Sequence, residues 1–460
     1  MPDLRQRALI YALDHRTDFL DTLKDLIAIP SISTDPERKN DLVRTAEWLS
    51  AKLKSIGADS VEIFPTAGHP VVFGEIKTAS PGAQTVLIYG HYDVQPPDPF
   101  DQWKTPPFEP SIKGEDLYAR GASDMKGQIL VSISAIEAIL AHGTLPVNVK
   151  FLLEGEEEIG SPHLSQFMEE HKELLACDVA LNPDACMISK NVPTIVSGLR
   201  GLAYFEIRVY GPAHDLHSGL FGGIVHNPAQ VLCELVAGMH TPDGKITLPG
   251  FYDQVVPLTS QERAHLAALP MNDQFYLDQT GVPALWGESG FTSVERAGAR
   301  PTLDVNGFYA GFINPGSKTV IPAYAMAKVS MRLVPDQDPV EVHKQLVRYM
   351  ESNAPKTVRW EVIPMSGGPA CKTNINHPAT KALHAAMQEV WGVEPAYKRE
   401  GGSIPIVSDM QAILNIDSVL TGFGLPEDNV HAPNEKLNLP TWYRGIDTLI
   451  HFFLNLAPEK

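Results

Sequence analysis

Short apolar runs alternate with longer segments of helical periodicity along the first 185 residues of the chain. "VVFGEI", "TVLIYG", "VNVKFLLEG" and "CDVALN" have the composition of buried strands, whereas "MKGQILVSISAIEAILAHG" has helical apolar spacing and ends at a glycine. Strands that alternate with helices are typical of an α/β layer. This part of the chain therefore predicts a mixed, mostly parallel sheet flanked by helices.

The pattern changes near residue 198. "GLAYFEIRVYG" and "AYAMAKVSMRLVP" alternate apolar and polar residues as half-exposed antiparallel strands do, and "NPAQVLCELVAGMH" is helical. A long Pro/Gly-rich region follows between about 241 and 302, and the first pattern returns from about 374 with "HPATKALHAAMQEVWG" and "DSVLTGFG". We therefore predict a discontinuous catalytic domain, 1–197 and 374–460, interrupted by an inserted α+β domain, 198–373.

Composition narrows the classes of function. The 460 residues carry 37 Lys and Arg against 55 Asp and Glu, a net charge of −18 that argues against nucleic acid and anionic membranes as partners. No apolar window is long enough for a membrane span, and the N-terminal segment has the charges and spacing of an amphipathic helix rather than a signal peptide. Four cysteines without zinc-ribbon spacing suggest reduced thiols and a cytoplasmic protein.

Carboxylate and imidazole side chains follow several of the predicted strands. Ligands of open α/β sheets bind beyond the carboxyl ends of strands, where such residues would gather. The candidates are His91 and Asp93, Asp124, Glu156 to Glu158, Asp184 and His431. A mixed nitrogen and oxygen set suits zinc, manganese or cobalt, and two ions that share one carboxylate need about five ligands.

Each candidate also has an ordinary structural explanation. Asp124 precedes a helix and would serve as its N-cap. The Glu156–Glu158 run is typical of a solvated turn, Asp184 of a turn, and His431 of a surface loop. In extended backbone His91 and Asp93 point to the same side, so Asp93 would orient the imidazole from behind. Because these residues all occur near predicted strand ends, it is improbable that every one of the ordinary explanations is correct.

A set of motifs in this chain resembles a known enzyme family. The motifs are "GHYDVQP", "WKTPPFEPSIKGEDLYARGASDMKGQ", "EGEEEIGSP", "HDLHSGLFGG", "GSKTVIP", "MRLVP", "REGGSIP" and "HAPNE", which lie in this order between residues 90 and 435. These motifs are similar to those of the dinuclear-metal dipeptidases and deacylases. That family includes carnosinase, cytosolic non-specific dipeptidase, carboxypeptidase G, aminoacylase, acetylornithine deacetylase and succinyl-diaminopimelate desuccinylase. "HSGLFGG", "KTVIP" and "EGGSIP" most resemble the carnosinase and non-specific dipeptidase branch.

The resemblance implies a zinc-exopeptidase-like fold and a site for two divalent ions per subunit, zinc or manganese. Its metal ligands would be His91 and Asp184 for one ion, Glu158 and His431 for the other, and Asp124 between them. Asp93 would support His91, and Glu157 would be the general base, a choice among the three glutamates that residue chemistry leaves open. The resemblance also implies a cis peptide bond between Asp124 and Met125.

The same resemblance gives the inserted domain a role as a lid and dimerisation domain. It implies a homodimer in which His217 acts on the active site of the other subunit as an oxyanion partner. Arg332 would bind the substrate carboxylate, although alone it is also typical of a surface arginine. Further substrate contacts would come from Thr319 and from Gly402, Ser403 and Ile404.

The resemblance implies metal-dependent hydrolysis of dipeptides or short peptides with a free C-terminal carboxylate, by a water that bridges the metals. Two alternatives stay open. An N-acyl-amino-acid deacylase of the acetylornithine or succinyl-diaminopimelate type would use the same ligands. A binding or regulatory protein with an inactive site is a different class, which the presence of all five ligands and the base disfavours.

Overall fold

A computed structural model describes residues 2–80, 82–402 and 404–457 of the protein. The chain divides into two compact units. The first unit comprises Met1–Ser197, Thr373–Tyr397 and Asp409–Lys460, and the second comprises Gly198–Lys372 and Lys398–Ser408. The segment Lys398–Ser408, which the sequence pattern assigns to the first domain, packs with the second unit because Arg399 pairs with Glu262 and the Arg200 guanidinium donates to the Gly401 carbonyl.

The described residues contain eighteen strands. Their bounds are β1 Ser60–Phe64, β2 Val71–Ile76, β3 Thr85–His91, β4 Ser111–Lys113, β5 Asp116–Tyr118, β6 Asn148–Glu154, β7 Val179–Asn182, β8 Thr194–Leu199, β9 Gly201–Tyr210, β10 Leu216–His217, β11 Thr302–Ala310, β12 Val320–Ile321, β13 Tyr324–Leu333, β14 Arg359–Gly368, β15 Cys371–Lys372, β16 Ala396–Glu400, β17 Asp417–Thr421 and β18 Lys436–Asn438.

The same residues contain fifteen α-helices. Their bounds are α1 Leu4–Asp14, α2 Arg16–Ile27, α3 Lys39–Ser55, α4 Lys126–Leu140, α5 Leu164–Glu170, α6 Lys172–Leu175, α7 Ser218–Phe221, α8 Pro228–Ala237, α9 Ser260–Ala267, α10 Asp273–Thr280, α11 Ser293–Ala299, α12 Pro339–Asn353, α13 Pro378–Trp391, α14 Pro405–Leu414 and α15 Leu439–Asn455. None of these described helices has the length and apolar character required to cross a bilayer.

The central sheet has the order β1-β2-β6-β3-β7-β17-β8, with β15 and β16 pairing against β8. The predicted mixed α/β sheet is confirmed, and its parallel part is smaller than expected. Among the strand pairs whose direction is described, β6–β3, β3–β7 and β7–β17 at the centre are parallel, while β1–β2, β2–β6 and β17–β8 on either side are antiparallel. The parallel strands are the continuous apolar runs of the sequence, because both of their faces are covered.

Helices of the first unit pack on this sheet and on each other. α4 packs against β3 and α15, and α13 packs against α15, so that one apolar core extends through these helices. α4 is buried on nearly all sides, which explains its uniformly apolar sequence. The parallel centre of the sheet is consequently held rigidly, and its carboxyl ends form a fixed platform for the loops that follow.

The second unit is built on a four-stranded antiparallel sheet of order β11-β13-β9-β14. Burial alternates along β9 and β13 as the sequence predicts, and α8 and α12 pack on the buried face. The Pro/Gly-rich region between 241 and 302 contains α9, α10 and α11, which the sequence analysis does not anticipate. Two of these helices begin with a capping box, Thr259 with Glu262 and Thr292 with Glu295.

Candidate metal centre

His91 is the last residue of β3, one of the central parallel strands. The preceding Gly90 lets α4 pack closely, because a Cβ there would lie 2.7 Å from Cγ1 of Ile129. The imidazole is buried, with 1% of the side chain exposed. Its Nδ1 lies 3.1 Å from the main-chain carbonyl oxygen of Asp93, so Nδ1–H donates there and the Nε2 lone pair remains available for a metal.

Asp124 lies between two imidazoles. Its Oδ1 is 3.0 Å from Nε2 of His91, and its Oδ2 is 2.9 Å from Nε2 of His431. The side chain does not cap the helix that follows, since Met125 occupies the N-cap position of α4. The Asp124–Met125 peptide bond is cis, as the resemblance predicts. The geometry therefore rejects the N-cap explanation and gives each carboxylate oxygen a different imidazole.

Two groups of possible metal ligands share this aspartate. The first contains His91, Asp124 and Asp184, with Oδ1 of Asp184 4.0 Å from Nε2 of His91. The second contains Asp124, Glu158 and His431, with Oε2 of Glu158 3.2 Å from Nε2 of His431. All five ligands implied by the resemblance meet at the carboxyl ends of β3, β6 and β7 and in two loops.

The three consecutive glutamates that follow β6 have different environments. The buried Glu156 carboxylate accepts from the main-chain N–H of His69 and lies 2.8 Å from Nδ1 of His163, so it is engaged with neighbouring loops. Glu158 pairs with His431. Glu157 is the remaining carboxylate, and the charges of His91 and Asp124 act on it directly. Of the three glutamates, Glu157 is the one that is close enough to His91 and Asp124 to be affected by their charges and has no described side-chain ion pair.

Asp93 holds two parts of the site in place. Its carboxylate oxygens accept from the main-chain N–H groups of Glu157 and Glu158, at 3.2 and 3.1 Å. Oδ1 also lies 3.4 Å from Nδ1 of His91. The side chain is completely buried, so these contacts fix the turn of the glutamates relative to β3.

Burial and close contacts shift the pKa values of the carboxylates and imidazoles at this site. Burial raises the pKa of Asp184 well above its ordinary value, and burial raises that of Glu157 to about 7. Hydrogen bonds with Asp124 and then Glu158 raise the pKa of His431 to about 10. Burial lowers the pKa of His91, but its contacts with Asp124 and Asp93 outweigh this and raise it.

The carboxylates that are removed from water thus favour positive charge beside them. Divalent cations would supply this positive charge without protonating any ligand. Neutral imidazole nitrogen and carboxylate oxygen are donors that zinc and manganese both accept. The residues at this site therefore fit divalent metal ions.

Sequence reasoning missed several residues that contact the site. Gln95 donates from Nε2 to Oε2 of Glu158 at 2.7 Å, and the buried Glu435 accepts from the main-chain N–H of Asp124. Both residues stand in motifs of the resemblance, "GHYDVQP" and "HAPNE", so their position in the motifs was the available signal. Neither could be assigned a contact without the three-dimensional structure.

His217, a predicted catalytic residue, and Thr319, a predicted substrate contact, lie together in the second unit. β10 pairs with β12, which places His217 opposite Val320, and the main-chain N–H of Ser218 donates to the carbonyl oxygen of Thr319. Nδ1 of His217 accepts from the N–H of Gly219 at 2.9 Å. A neutral imidazole in this state carries its proton on Nε2, so the exposed ring presents an N–H donor.

Arg332 lies on β13, near the half-buried Arg200. Burial, followed by the charge of Arg332, lowers the pKa of Arg200 to about 10. Arg200 donates from Nε to the carbonyl oxygen of Gly401 at 3.0 Å. A Cβ at Gly401 would lie 2.6 Å from the Ala297 carbonyl oxygen, so this glycine allows close packing.

The predicted loop contacts after Gly401 are described only in part. A Cβ at Gly402 would have no atom within 4 Å, and Ile404 accepts from the main-chain N–H of Val407. Ser403 lies outside the described residues. The predicted contacts of this loop with a substrate therefore stay predictions.

Comparison with known proteins decides the family of this chain. Residues 87–455 match the profile of the family described as Peptidase family M20/M25/M40. The chain belongs to this family. It is accordingly a metallopeptidase, and the predicted membership of the carnosinase and non-specific dipeptidase branch is confirmed by its relatives.

Three M20-family relatives illustrate the similarity. A human protein named Beta-Ala-His dipeptidase is 34% identical over 99% of this chain and 93% of that protein. The Cys-Gly metallodipeptidase DUG1 of Candida albicans is 32% identical over 95% of this chain and 94% of that protein. The crystal structure of a M20 family metallo-carboxypeptidase from Sulfolobus solfataricus matches with a TM-score of 0.85 at 33% identity, over 96% of this chain and 99% of that one.

Proposed function

We propose that this protein is a dinuclear metal-dependent dipeptidase, which hydrolyses dipeptides or short peptides with a free C-terminal carboxylate. The observation that carries the proposal is the placement of Asp124 between two imidazoles, one in each group of possible metal ligands. One carboxylate with two engaged oxygens is the arrangement that a bridging ligand requires. Peptidase family membership supports the reaction class.

The ligand set would hold two divalent ions, zinc or manganese. His91 and Asp184 would bind one, Glu158 and His431 the other, and Asp124 both. When bound, the two ions would supply an activated water near neutral pH and positive charge for the developing oxyanion. Asp93 and Gln95 would keep the ligands in position, because they contact His91 and Glu158 from behind.

Glu157 would act as the general base. Its carboxylate lies beside the ligands and is partly removed from water, which favours the uptake of a proton. It would accept a proton from the attacking water and then donate it to the leaving amine. The Asp93 carboxylate accepts from the main-chain N–H groups of Glu157 and Glu158. These contacts would hold the Glu157 side chain at a constant position through both proton transfers.

The second unit would supply the groups that recognise the substrate. Arg332 suits a C-terminal carboxylate because a guanidinium binds both oxygens, and Arg200 beside it adds positive charge. Thr319 and the Gly402, Ser403 and Ile404 loop would make further contacts. The Nε2–H of His217 would stabilise the oxyanion. Recognition of a carboxylate next to the scissile bond would restrict the enzyme to short substrates or to carboxypeptidase-like cleavage.

The proposal includes a homodimer in which His217 acts on the partner subunit. β11 is an edge strand of the four-stranded sheet, so its main chain can pair with a second copy. Large apolar side chains are exposed on it and just after it, Phe308 at 47% and Ile313 at 72%. Leu220, close to His217 in sequence, is 70% exposed. A cytoplasmic location, suggested by the sparse cysteines, is also part of the proposal.

The deacylase alternative is not favoured, because the relatives reported above are named as dipeptidases or as a carboxypeptidase. A substrate panel distinguishes the two activities. The purified protein, supplied in turn with zinc and manganese, would be incubated with β-Ala-His, Cys-Gly and other dipeptides, with C-terminally amidated dipeptides, and with N-acetyl- and N-succinyl-amino acids. We expect release of free amino acids from the unmodified dipeptides only.

Amidation is the matched control, since it removes the C-terminal charge and leaves the scissile bond intact. Hydrolysis of amidated and free dipeptides at equal rates would reject carboxylate recognition. Faster hydrolysis of the N-acetyl- or N-succinyl-amino acids than of the free dipeptides would reject the dipeptidase assignment in favour of the deacylase.

A further inference from the structure

Glu435 is a completely buried carboxylate that no step of the proposed reaction uses. It precedes β18, and its two oxygens accept four hydrogen bonds. Oε1 accepts from the main-chain N–H groups of Ser123 at 2.9 Å and Asp124 at 3.1 Å, and Oε2 accepts from the N–H of Gly121 at 3.0 Å and from Nη1 of Arg120 at 2.7 Å. A single side chain therefore holds the main chain of the whole loop that carries Asp124.

Arg120 extends this network to a second loop. Its guanidinium is 1% exposed and lies over the Trp103 ring, 5.5 Å from the centroid. Besides Glu435, it donates from Nη2 to the carbonyl oxygens of Pro96 and Ala432, each at 3.3 Å. Ala432 directly follows His431, so the pair of Arg120 and Glu435 contacts the segments of two predicted ligands.

The loop that carries His431 needs such support. His431 has a φ of 62°, and Asn429 and Asn434 have φ angles of 55° and 64°. Residues other than glycine rarely adopt this left-handed region, and a residue held there is strained. Such a conformation persists only where surrounding contacts impose it. The fully buried ion pair beside the loop provides contacts of this kind.

We propose that Glu435 and Arg120 are a positioning pair, which sets the separation of Asp124 and His431 and thereby the affinity of the site for its metal ions. The inference rests on the proposed function, since it assumes that Asp124 and His431 bind metal. None of the described hydrogen bonds of Arg120 or Glu435 goes to the side chain of a proposed ligand. Their effect would pass through the main chain of residues 121–124 and 431–435.

The exchange Glu435→Gln tests the pair with little change of shape. The amide nitrogen would replace one acceptor oxygen, so that an N–H donor would face another donor, either Arg120 or the main-chain N–H of Asp124. At least one of the present hydrogen bonds would be lost. Isothermal titration of zinc and of manganese into chelator-stripped protein measures the affinity. We expect metal binding to weaken by about 10- to 100-fold, as for other residues that support metal ligands. Excess metal should restore much of the lost dipeptidase kcat.

Glu137→Gln is the matched control. It removes the carboxylate of the Lys52 ion pair from the same unit, eleven residues after Lys126 and about 16 Å along α4. Both variants would be compared by circular dichroism and thermal melting without metal. We expect wild-type metal affinity for Glu137→Gln, whatever change in melting temperature it shows.

Wild-type metal affinity in a folded Glu435→Gln protein would overturn the positioning pair. If that variant does not fold, Arg120→Lys replaces it, because lysine keeps the charge but lacks the planar fork with which the guanidinium reaches Glu435, Pro96 and Ala432. Unchanged affinity in Arg120→Lys would equally overturn the proposal, and a several-fold weakening would support it. Failure of the wild-type protein to bind two ions would instead reject the proposed dinuclear function.

Discussion

Asp124 is the residue on which the candidate site depends. It touches both imidazoles, and its main chain is held by the buried Glu435. Asp93 likewise holds the main chain of Glu157 and Glu158, because its carboxylate accepts from both of their N–H groups. The side chains proposed to contact metal are thus surrounded by carboxylates that contact main-chain N–H groups. Preorganisation of this kind is what a metal-dependent hydrolase requires.

Replacement of the proposed base should separate chemistry from metal binding. We expect Glu157→Gln to lower kcat by about 10²- to 10⁴-fold, because the proton acceptor is lost while the five ligands remain. Rates with a dipeptide and metal content by mass spectrometry provide the measurement. Asp124→Asn is the comparison, and it should lose metal as well as activity. Substantial turnover by a pure Glu157→Gln preparation would contradict the assignment of the base.

At the residue scale, the sequence predicted which side chains gather but not what each one does. Three of the proposed ligands, His91, Glu158 and Asp184, lie at or just after the ends of β3, β6 and β7, and a parallel sheet brings such positions to one edge. The distinct environments of Glu157 and Glu158 depend on contacts with Asp93 and His431, which lie far away in the chain, whereas Glu156 contacts His163 only seven residues along. No local pattern carries that information.

At the element scale, the junction of β3 and α4 positions two of the proposed metal ligands. His91 ends the strand, Asp124 precedes the helix, and Gly90 allows Ile129 of the helix to pack on the strand. A change in the distance between these two elements should therefore alter the separation of the two ligands. The effect can be tested with one added methyl group.

We expect Gly90→Ala to destabilise the protein by about 1–3 kcal/mol and to weaken metal binding, because the new Cβ would displace α4. Gly74→Ala on β2 is the matched control, since its Cβ would meet the end of the Leu53 side chain on α3, 2.8 Å away. Chemical denaturation and metal titration of both variants give the comparison. Equal metal affinities in the two variants would show that this junction does not set the ligand geometry.

Element boundaries were predicted best where the apolar pattern was continuous. β3, β6, β7 and α4 match the runs in the sequence, because core burial dictates their composition. The single predicted N-terminal helix is two helices, α1 and α2, separated at His15. α9 and α11 were missed although "TSQE" and "TSVE" are capping-box sequences, because the surrounding prolines and glycines indicated a loop.

At the scale of the whole molecule, the proposal requires two subunits for each complete active site. Hybrid dimers test this requirement. Mixing a Glu157→Ala preparation with a His217→Ala preparation would give, after subunit exchange, dimers in which one site contains both Glu157 and a partner's intact imidazole. Random exchange makes half of the dimers hybrid, so we expect recovery of roughly a quarter of the wild-type activity.

Each variant alone provides the control, since neither homodimer has a complete site. No recovery, with hybrid formation verified by two different affinity tags, would show that His217 does not act on the partner subunit. Wild-type activity of His217→Ala alone would show that this residue is not needed for the oxyanion.

The central claim is that two divalent ions at the Asp124 site hydrolyse dipeptides, and a metal titration tests it most directly. Chelator-stripped protein would receive zinc or manganese in increments, while bound metal and dipeptide hydrolysis are measured on the same samples. We predict no hydrolysis without metal, full activity at two bound ions per chain, and loss of both binding and activity in Asp124→Asn. Dipeptide hydrolysis by the metal-free protein, or full activity with Asp124 replaced, would contradict the account.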